Sequence, residues 1–278
     1  MNWTILAYLA TALTYGALAV YFWKTRWSPA RNEQHYIAAT PAWERGAVVL
    51  PLILHAGLLY SVVLAGSDLT LGVGIAVSII VWLCVFIYWL GSFVHRFEGL
   101  QALVMPIAAF ACLLPLIAPS ARALPNTELL AFKAHLIISM LAYSLFTIAS
   151  LHALLMALLE KRLHGGHLGT GRNALPPLLT MESILFRLIA AGFVLLTLSL
   201  ASGILFSEEL FGRPLSFNHK TVFGVLSWLI FGALLAGRAR YGWRGRAVMR
   251  WTLAGFLMLV LAYLGSRFVV EFILQRGA

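Results

Sequence analysis

Charged residues and cysteines are both scarce in this sequence. Only 11% of the 278 residues are charged, whereas 61% are hydrophobic. Average soluble domains carry about 25% charged and about 45–50% apolar residues. So little polar surface cannot cover a soluble core, which excludes a soluble enzyme, a disordered chain and a coiled coil. The mean hydropathy of +0.89 instead indicates a polytopic membrane protein.

Other absences narrow the class further. The two cysteines, Cys84 and Cys112, lie inside apolar runs and form no C-x-x-C pair, which argues against a thiol-relay oxidoreductase. No basic segment precedes the first apolar run at Trp3, so we expect a retained span rather than a signal peptide. The net charge of +10 comes from short loops without a nucleic-acid-binding module, so no nucleic-acid partner is expected.

The apolar runs predict an all-α bundle of about eight transmembrane helices, forming one membrane domain over residues 1–278. The predicted spans are roughly 3–23, 45–66, 71–91, 100–118, 134–159, 183–206, 221–238 and 251–273. Three of them lie within the first part of the domain, about 3–91. Pro106 and Pro115 predict a kink in the fourth span.

The positive charges are distributed unevenly between the two sides of the membrane. Of the 20 Lys and Arg residues, 14 fall on one side of the predicted spans. The other six are Arg122, Lys133, Arg213, Lys220, Arg267 and Arg276. The positive-inside rule therefore predicts that both termini lie outside.

Two histidines are predicted at the same membrane depth on the outer side. His135 lies at the outer end of the fifth span, and His219 at the outer end of the seventh, next to Lys220. Facing imidazoles from two helices are what axial ligation of a haem iron requires. The alternative is that both are hydrogen-bonding residues of the interface that share a side.

Further residues fit a haem site at this level. Ser139 and Tyr143 follow His135 at i+4 and i+8 and so continue its helix face. Four cations lie at the same level and would neutralise haem propionates: Lys133, Arg213, Lys220 and Arg267. The residues expected to bind non-covalent haem b are therefore His135, His219, His55, Tyr143, Arg267 and Lys220, with His135 and His219 on the iron.

His55 stands near the middle of the second span, where a histidine must be hydrogen-bonded or face a cavity. It is interpreted as a second haem ligand in place of His219, as a proton carrier, or as a hydrogen-bonding residue between helices.

Three stretches resemble a known family. They are Ala134-His135-Leu136 through Tyr143, Trp228–Phe231 through Arg238 with Tyr241-Gly242-Trp243-Arg244-Gly245-Arg246, and Gly255-Phe256 with Ala262–Arg267. They resemble the cytochrome c assembly membrane proteins of the CcsA/CcmC superfamily, in its short YpjD-like and HemX-like branch, over about residues 95–272.

The resemblance implies a multi-pass protein of the bacterial inner membrane that carries haem and presents it for attachment to apocytochrome c. His135 would match the family's first outer haem histidine. The implied partners are membrane lipid and haem-delivery or apocytochrome c assembly proteins. The family's tryptophan-rich segment should precede the seventh span, but residues 207–220 contain no tryptophan. We therefore expect a haem-binding or assembly factor rather than a complete synthase, and ligation by His219 is inferred from the residues alone.

Two other functions remain open. One is a non-enzymatic accessory or regulatory subunit of another membrane system, such as an ion transporter, docking on a partner or on anionic lipid through the Arg238–Arg250 loop. The other is a small-solute or proton-coupled carrier with His55 as its relay. The lack of an inverted repeat and the scarcity of intramembrane acids weigh against the carrier.

Overall fold

The computed structural model of the chain describes residues 3–27, 41–63, 69–95, 97, 99–118, 122–123, 129–164, 178–205 and 219–265. Its helices are α1 (Trp3–Arg26), α2 (Ala42–Val63), α3 (Val73–Gly91), α4 (Gln101–Ala111), α5 (Leu114–Ile117), α6 (Leu130–His164), α7 (Leu178–Leu205), α8 (His219–Tyr241) and α9 (Arg246–Val260). A π-helical turn, Leu261–Gly265, continues α9. Two-residue strands β1 (Thr70–Leu71) and β2 (Arg122–Ala123) pair antiparallel, with Thr70 opposite Ala123. The all-α membrane bundle expected from the sequence is confirmed.

Within the described residues, seven helices are long and apolar enough to cross a membrane. The remaining one of the eight predicted spans, the fourth at about 100–118, differs from the expectation of one kinked helix. It consists of α4 and α5, separated by a turn at Cys112 and Leu113. Pro106 lies inside α4, whereas Pro115 opens α5, where its missing N–H costs no hydrogen bond.

The interrupted segment still traverses the bundle. Trp27 near the end of α1 donates its indole N–H to the carbonyl of Gly99, 3.3 Å away, just before α4. At the other end, a Cβ placed on Gly74 at the start of α3 would lie 2.7 Å from the Leu114 carbonyl oxygen. Gly74 therefore permits α5 to pack directly on α3. Among the described residues, α1–α3, α4 with α5, and α6–α9 therefore make eight passes, which puts Trp3 and Gly265 at the same end of the bundle.

The bundle has two rims, one at each end of its helices. The amino-terminal rim contains the starts of α1, α3, α6 and α8 and the ends of α2, α5 and α7. The arginine-rich rim contains the ends of α1, α3, α6 and α8 and the starts of α2, α4, α7 and α9, and there Arg26 pairs with Glu44, Arg238 with Glu182, and Arg246 with Glu160. Which rim faces the cytoplasm follows from the positive-inside rule and remains a prediction.

Helix α6 lies at the centre of the second half of the bundle and packs on α3, α7 and α9. Its Phe146 stacks on Phe231 of α8 with ring centroids 3.9 Å apart. A Cβ on Gly192 of α7 would lie 3.1 Å from the Phe146 ring, so glycine permits the close approach of α6 and α7. The packing fixes the relative positions of the three helices that carry the candidate site.

Candidate site at the amino-terminal rim

His135 lies in the second turn of α6 and is half-buried against α7. Its Nδ1 atom is 2.8 Å from the hydroxyl oxygen of Ser202 on α7. A Cβ on Gly203 would lie 3.4 Å from the His135 Cε1 atom, so the ring rests close to the α7 backbone. The imidazole is therefore held in one orientation from the α7 side.

A second polar link joins the same helices one turn deeper. The Ser139 hydroxyl lies 2.6 Å from the Ser199 hydroxyl on α7 and donates to the His135 carbonyl at 2.7 Å. Ser199 and Ser202 are three residues apart and so share one face of α7. The α6–α7 interface is thus polar at this rim, although both helices are otherwise strongly apolar.

Helix α8 begins beside this interface. His219 and Lys220 are its first two residues, and both are exposed. The Lys220 ammonium lies close enough to act electrostatically on the His135 imidazole. His219 and Lys220 thus lie at the start of α8, on the same rim as His135.

Tyr143 lies two turns from His135 and is half-buried. Its ring meets that of Tyr263 edge-on, with centroids 5.8 Å apart. Tyr143 thus connects the His135 helix to the π-helical turn after α9. Of the other cations predicted at this level, Lys133 is exposed in the first turn of α6, whereas Arg213 and Arg267 lie outside the described residues.

His55 belongs to a different cluster. It is fully buried, with Nε2 2.8 Å from the Ser78 hydroxyl and Nδ1 3.4 Å from the Tyr15 hydroxyl. These partners lie on α3 and α1, whereas those of His135 lie on α7. Both ring nitrogens of His55 are engaged within its cluster, which is the hydrogen-bonding arrangement between helices considered above.

Among the described residues, no group of three or more His, Cys, Asp and Glu side chains could hold a metal ion. Haem iron requires only one or two protein ligands, so the relevant observation is how single histidines are held. Ligating histidines generally bond their second nitrogen to a nearby polar group. The His135–Ser202 contact has this form, and the nearby lysine suits an anionic propionate, so the residues present fit a haem.

Sequence reasoning missed Ser199 and Ser202. The available signal was a serine pair at i, i+3 inside an apolar span, which places two hydroxyls on one helix face. That signal does not say which helix the face meets, because hydropathy carries no information on neighbours.

The comparisons with known proteins agree with this fold. The family described as "Cytochrome C assembly protein" matches residues 45–274. "Inner membrane protein YpjD" of Escherichia coli strain K12 is 32% identical over 245 residues, covering 83% of this chain and 89% of the relative. "Cytochrome c biogenesis protein CcsA" of Prochlorococcus marinus strain AS9601 is 37% identical over 89 residues, covering 32% of this chain and 29% of the relative. No solved structure matches.

The resemblance of the sequence motifs to the CcsA/CcmC superfamily is therefore confirmed. The family match spans most of the chain, and the similarity to YpjD extends over nearly the full length of both proteins. The chain is a multi-pass protein of the bacterial inner membrane, and it belongs to the cytochrome c assembly protein family.

Proposed function

We propose that the chain handles haem during cytochrome c biogenesis, binding haem b non-covalently at the amino-terminal rim with His135 on the iron. The observation that carries the proposal is the His135–Ser202 contact of 2.8 Å, which orients an imidazole at a helix end in a member of this family. Polar residues within membrane-spanning helices are rare and usually functional, so this half-buried polar interface supports the proposal.

Each residue has a defined task in this proposal. Ser202 engages Nδ1, which assigns Nε2 of His135 to the iron. Lys220, already close to His135, neutralises a propionate. His219 would be the second histidine to hold the iron, from the start of α8. In this proposal the protein supplies the residues that hold the haem, and partners supply the apocytochrome thiols.

The rim location bears on the direction of haem transfer. The positive-inside rule puts the amino-terminal rim outside, where haem would be presented at the outer leaflet to apocytochrome c. The protein would then be an assembly factor with no bond-forming step of its own.

The experiment uses His135→Gly, which opens a space for free imidazole. The variant should lose haem when purified in mild detergent and recover it, with its low-spin spectrum, when imidazole is added. His95→Gly is the matched control, because it removes an imidazole near the arginine-rich rim, and it should keep its haem. A His135→Gly protein with the wild-type haem content would refute the assignment.

A second variant tests the axial partner. His219→Ala should convert the six-coordinate low-spin spectrum to a five-coordinate high-spin one while some haem remains bound. If His55→Ala makes that conversion instead and His219→Ala leaves the spectrum unchanged, the second ligand is His55.

A further inference from the structure

The loop between α8 and α9 is a rigid hairpin at the arginine-rich rim. Gly242 and Gly245 have φ values of +65° and +68°, which side chains with a Cβ rarely adopt. The Trp243 ring folds back so closely that a Cβ on Gly237 would lie 2.5 Å from it. Trp243 also contacts Trp251 of α9, with ring centroids 6.2 Å apart. The Gly-Trp-Arg-Gly-Arg motif therefore builds a fixed turn.

Two arginines of this hairpin form ion pairs with neighbouring helices of the bundle. Arg238 donates to Glu182 of α7 at 2.8 Å and to the Trp243 carbonyl at 3.2 Å. Arg246 donates to Glu160 of α6 at 2.7 Å. These two side chains attach the hairpin to the neighbouring helices and are neutralised by carboxylates.

The other three arginines, Arg240, Arg244 and Arg250, are exposed. Within the described part of the chain, none of the three forms an ion pair. Tyr241 and Trp251 are exposed beside them. The hairpin thus carries three solvent-facing guanidinium groups on a fixed turn, flanked by two aromatic rings.

We propose that Arg240, Arg244 and Arg250 bind the headgroups of anionic phospholipids, which makes the hairpin a lipid-selective surface independent of the haem site. Positive charge complements the headgroup phosphate. The position at the end of two membrane-spanning helices puts the guanidinium groups at headgroup depth, and exposed Tyr and Trp are typical of that depth. Binding costs little backbone entropy, because Arg240 and Arg250 lie on helices and Arg244 lies in the rigid turn that joins them.

The test measures the preference of the purified full chain for phosphatidylglycerol over phosphatidylcholine in nanodiscs, with spin-labelled lipids as probes. The variant is R240Q/R244Q/R250Q, which removes the three exposed charges. Its preference should fall by about fivefold per arginine, and the wild-type preference should weaken in high salt. R240K/R244K/R250K keeps the charge and should keep most of the preference.

A control exploits another exposed cation at the same rim. Lys24 lies in the last turn of α1, outside the hairpin, and Lys24→Gln, which removes a single charge, should lower the lipid preference far less than the triple glutamine variant. The haem content of all variants should equal that of the wild type, which separates this proposal from the haem site. An unchanged phosphatidylglycerol preference in the triple glutamine variant would overturn the proposal. Loss of a co-purifying membrane protein with lipid preference unchanged would also overturn it, and would identify a protein-docking surface.

Discussion

Three ion pairs of nearly equal length at the arginine-rich rim differ mainly in burial. The N···O distances are 2.7 Å for Arg26–Glu44, 2.8 Å for Arg238–Glu182 and 2.7 Å for Arg246–Glu160. The exposed side-chain fractions of Arg and Glu are 0% and 1% in the first pair, 30% and 8% in the second, and 61% and 21% in the third. We predict that replacing each Glu by Gln destabilises the protein in that order.

The magnitudes follow from desolvation. Glu44→Gln leaves the Arg26 cation buried without a counter-charge, and its Nε and Nη1 atoms already lack partners among the described groups. Breaking such a buried pair costs about 3–5 kcal/mol. Glu160→Gln removes a largely exposed pair, which is worth about 0.2–1 kcal/mol. Glu182→Gln should fall between these limits, because Arg238 keeps its contacts with Trp243 and Phe186.

The assay is thermal unfolding of the three variants in one detergent, followed by the loss of monodisperse protein. Each kcal/mol lowers the midpoint by about 2–4 °C in chains of 150–250 residues, so Glu44→Gln should shift it several times further than Glu160→Gln. The double variant R26M/E44Q should recover much of the loss, because no unpaired charge remains. Equal midpoints for Glu44→Gln and Glu160→Gln would refute the reasoning that burial sets the cost.

Two further substitutions test packing and orientation. Gly237→Ala should destabilise the protein by about 1–3 kcal/mol, because the new methyl would meet the Trp243 ring. Thermal unfolding measures this loss. The control is Gly224→Ala, which should be neutral or stabilising, because the nearest neighbour of its new methyl is a Leu200 methyl 3.5 Å away. Ser202→Ala should weaken haem binding about 10–100-fold through loss of its contact with His135, whereas Ser183→Ala, at the far end of α7, should leave a haemin titration unchanged. Equal haem affinity of the two serine variants would show that Ser202 does not position the ligand.

The spans were predictable because each apolar run must satisfy its backbone hydrogen bonds internally within lipid. The fifth span was expected at about 134–159 and is observed as Leu130–His164. The extra turns contain Lys133 and Lys161, which hydropathy assigns to loops although a helix easily includes them. The fourth segment was harder, because composition predicts a kink at a proline but not the break at Cys112 and Leu113.

The site was only partly predictable. His135 and Lys220 could be placed at one rim, because both lie in the first two turns of helices that start there, whereas Tyr143 lies two turns further into the bundle. The partner of His135 could not be identified, since Ser202 is 67 residues away and one of several small polar residues in apolar spans. Arg26 shows the same limit. Its position at the end of the first apolar run predicts an exposed loop cation. In the structure its side chain is buried, because it forms an ion pair with Glu44 of α2.

The role of His135 as a haem ligand at the amino-terminal rim is the basis of the proposed function. Its most direct test is the absorption spectrum, oxidised and then dithionite-reduced, of wild-type protein and His135→Ala purified from haem-replete cells. We expect low-spin haem b near unit stoichiometry in the wild type and no haem in the variant. A wild-type protein that carries no haem and takes up no added haemin would contradict it.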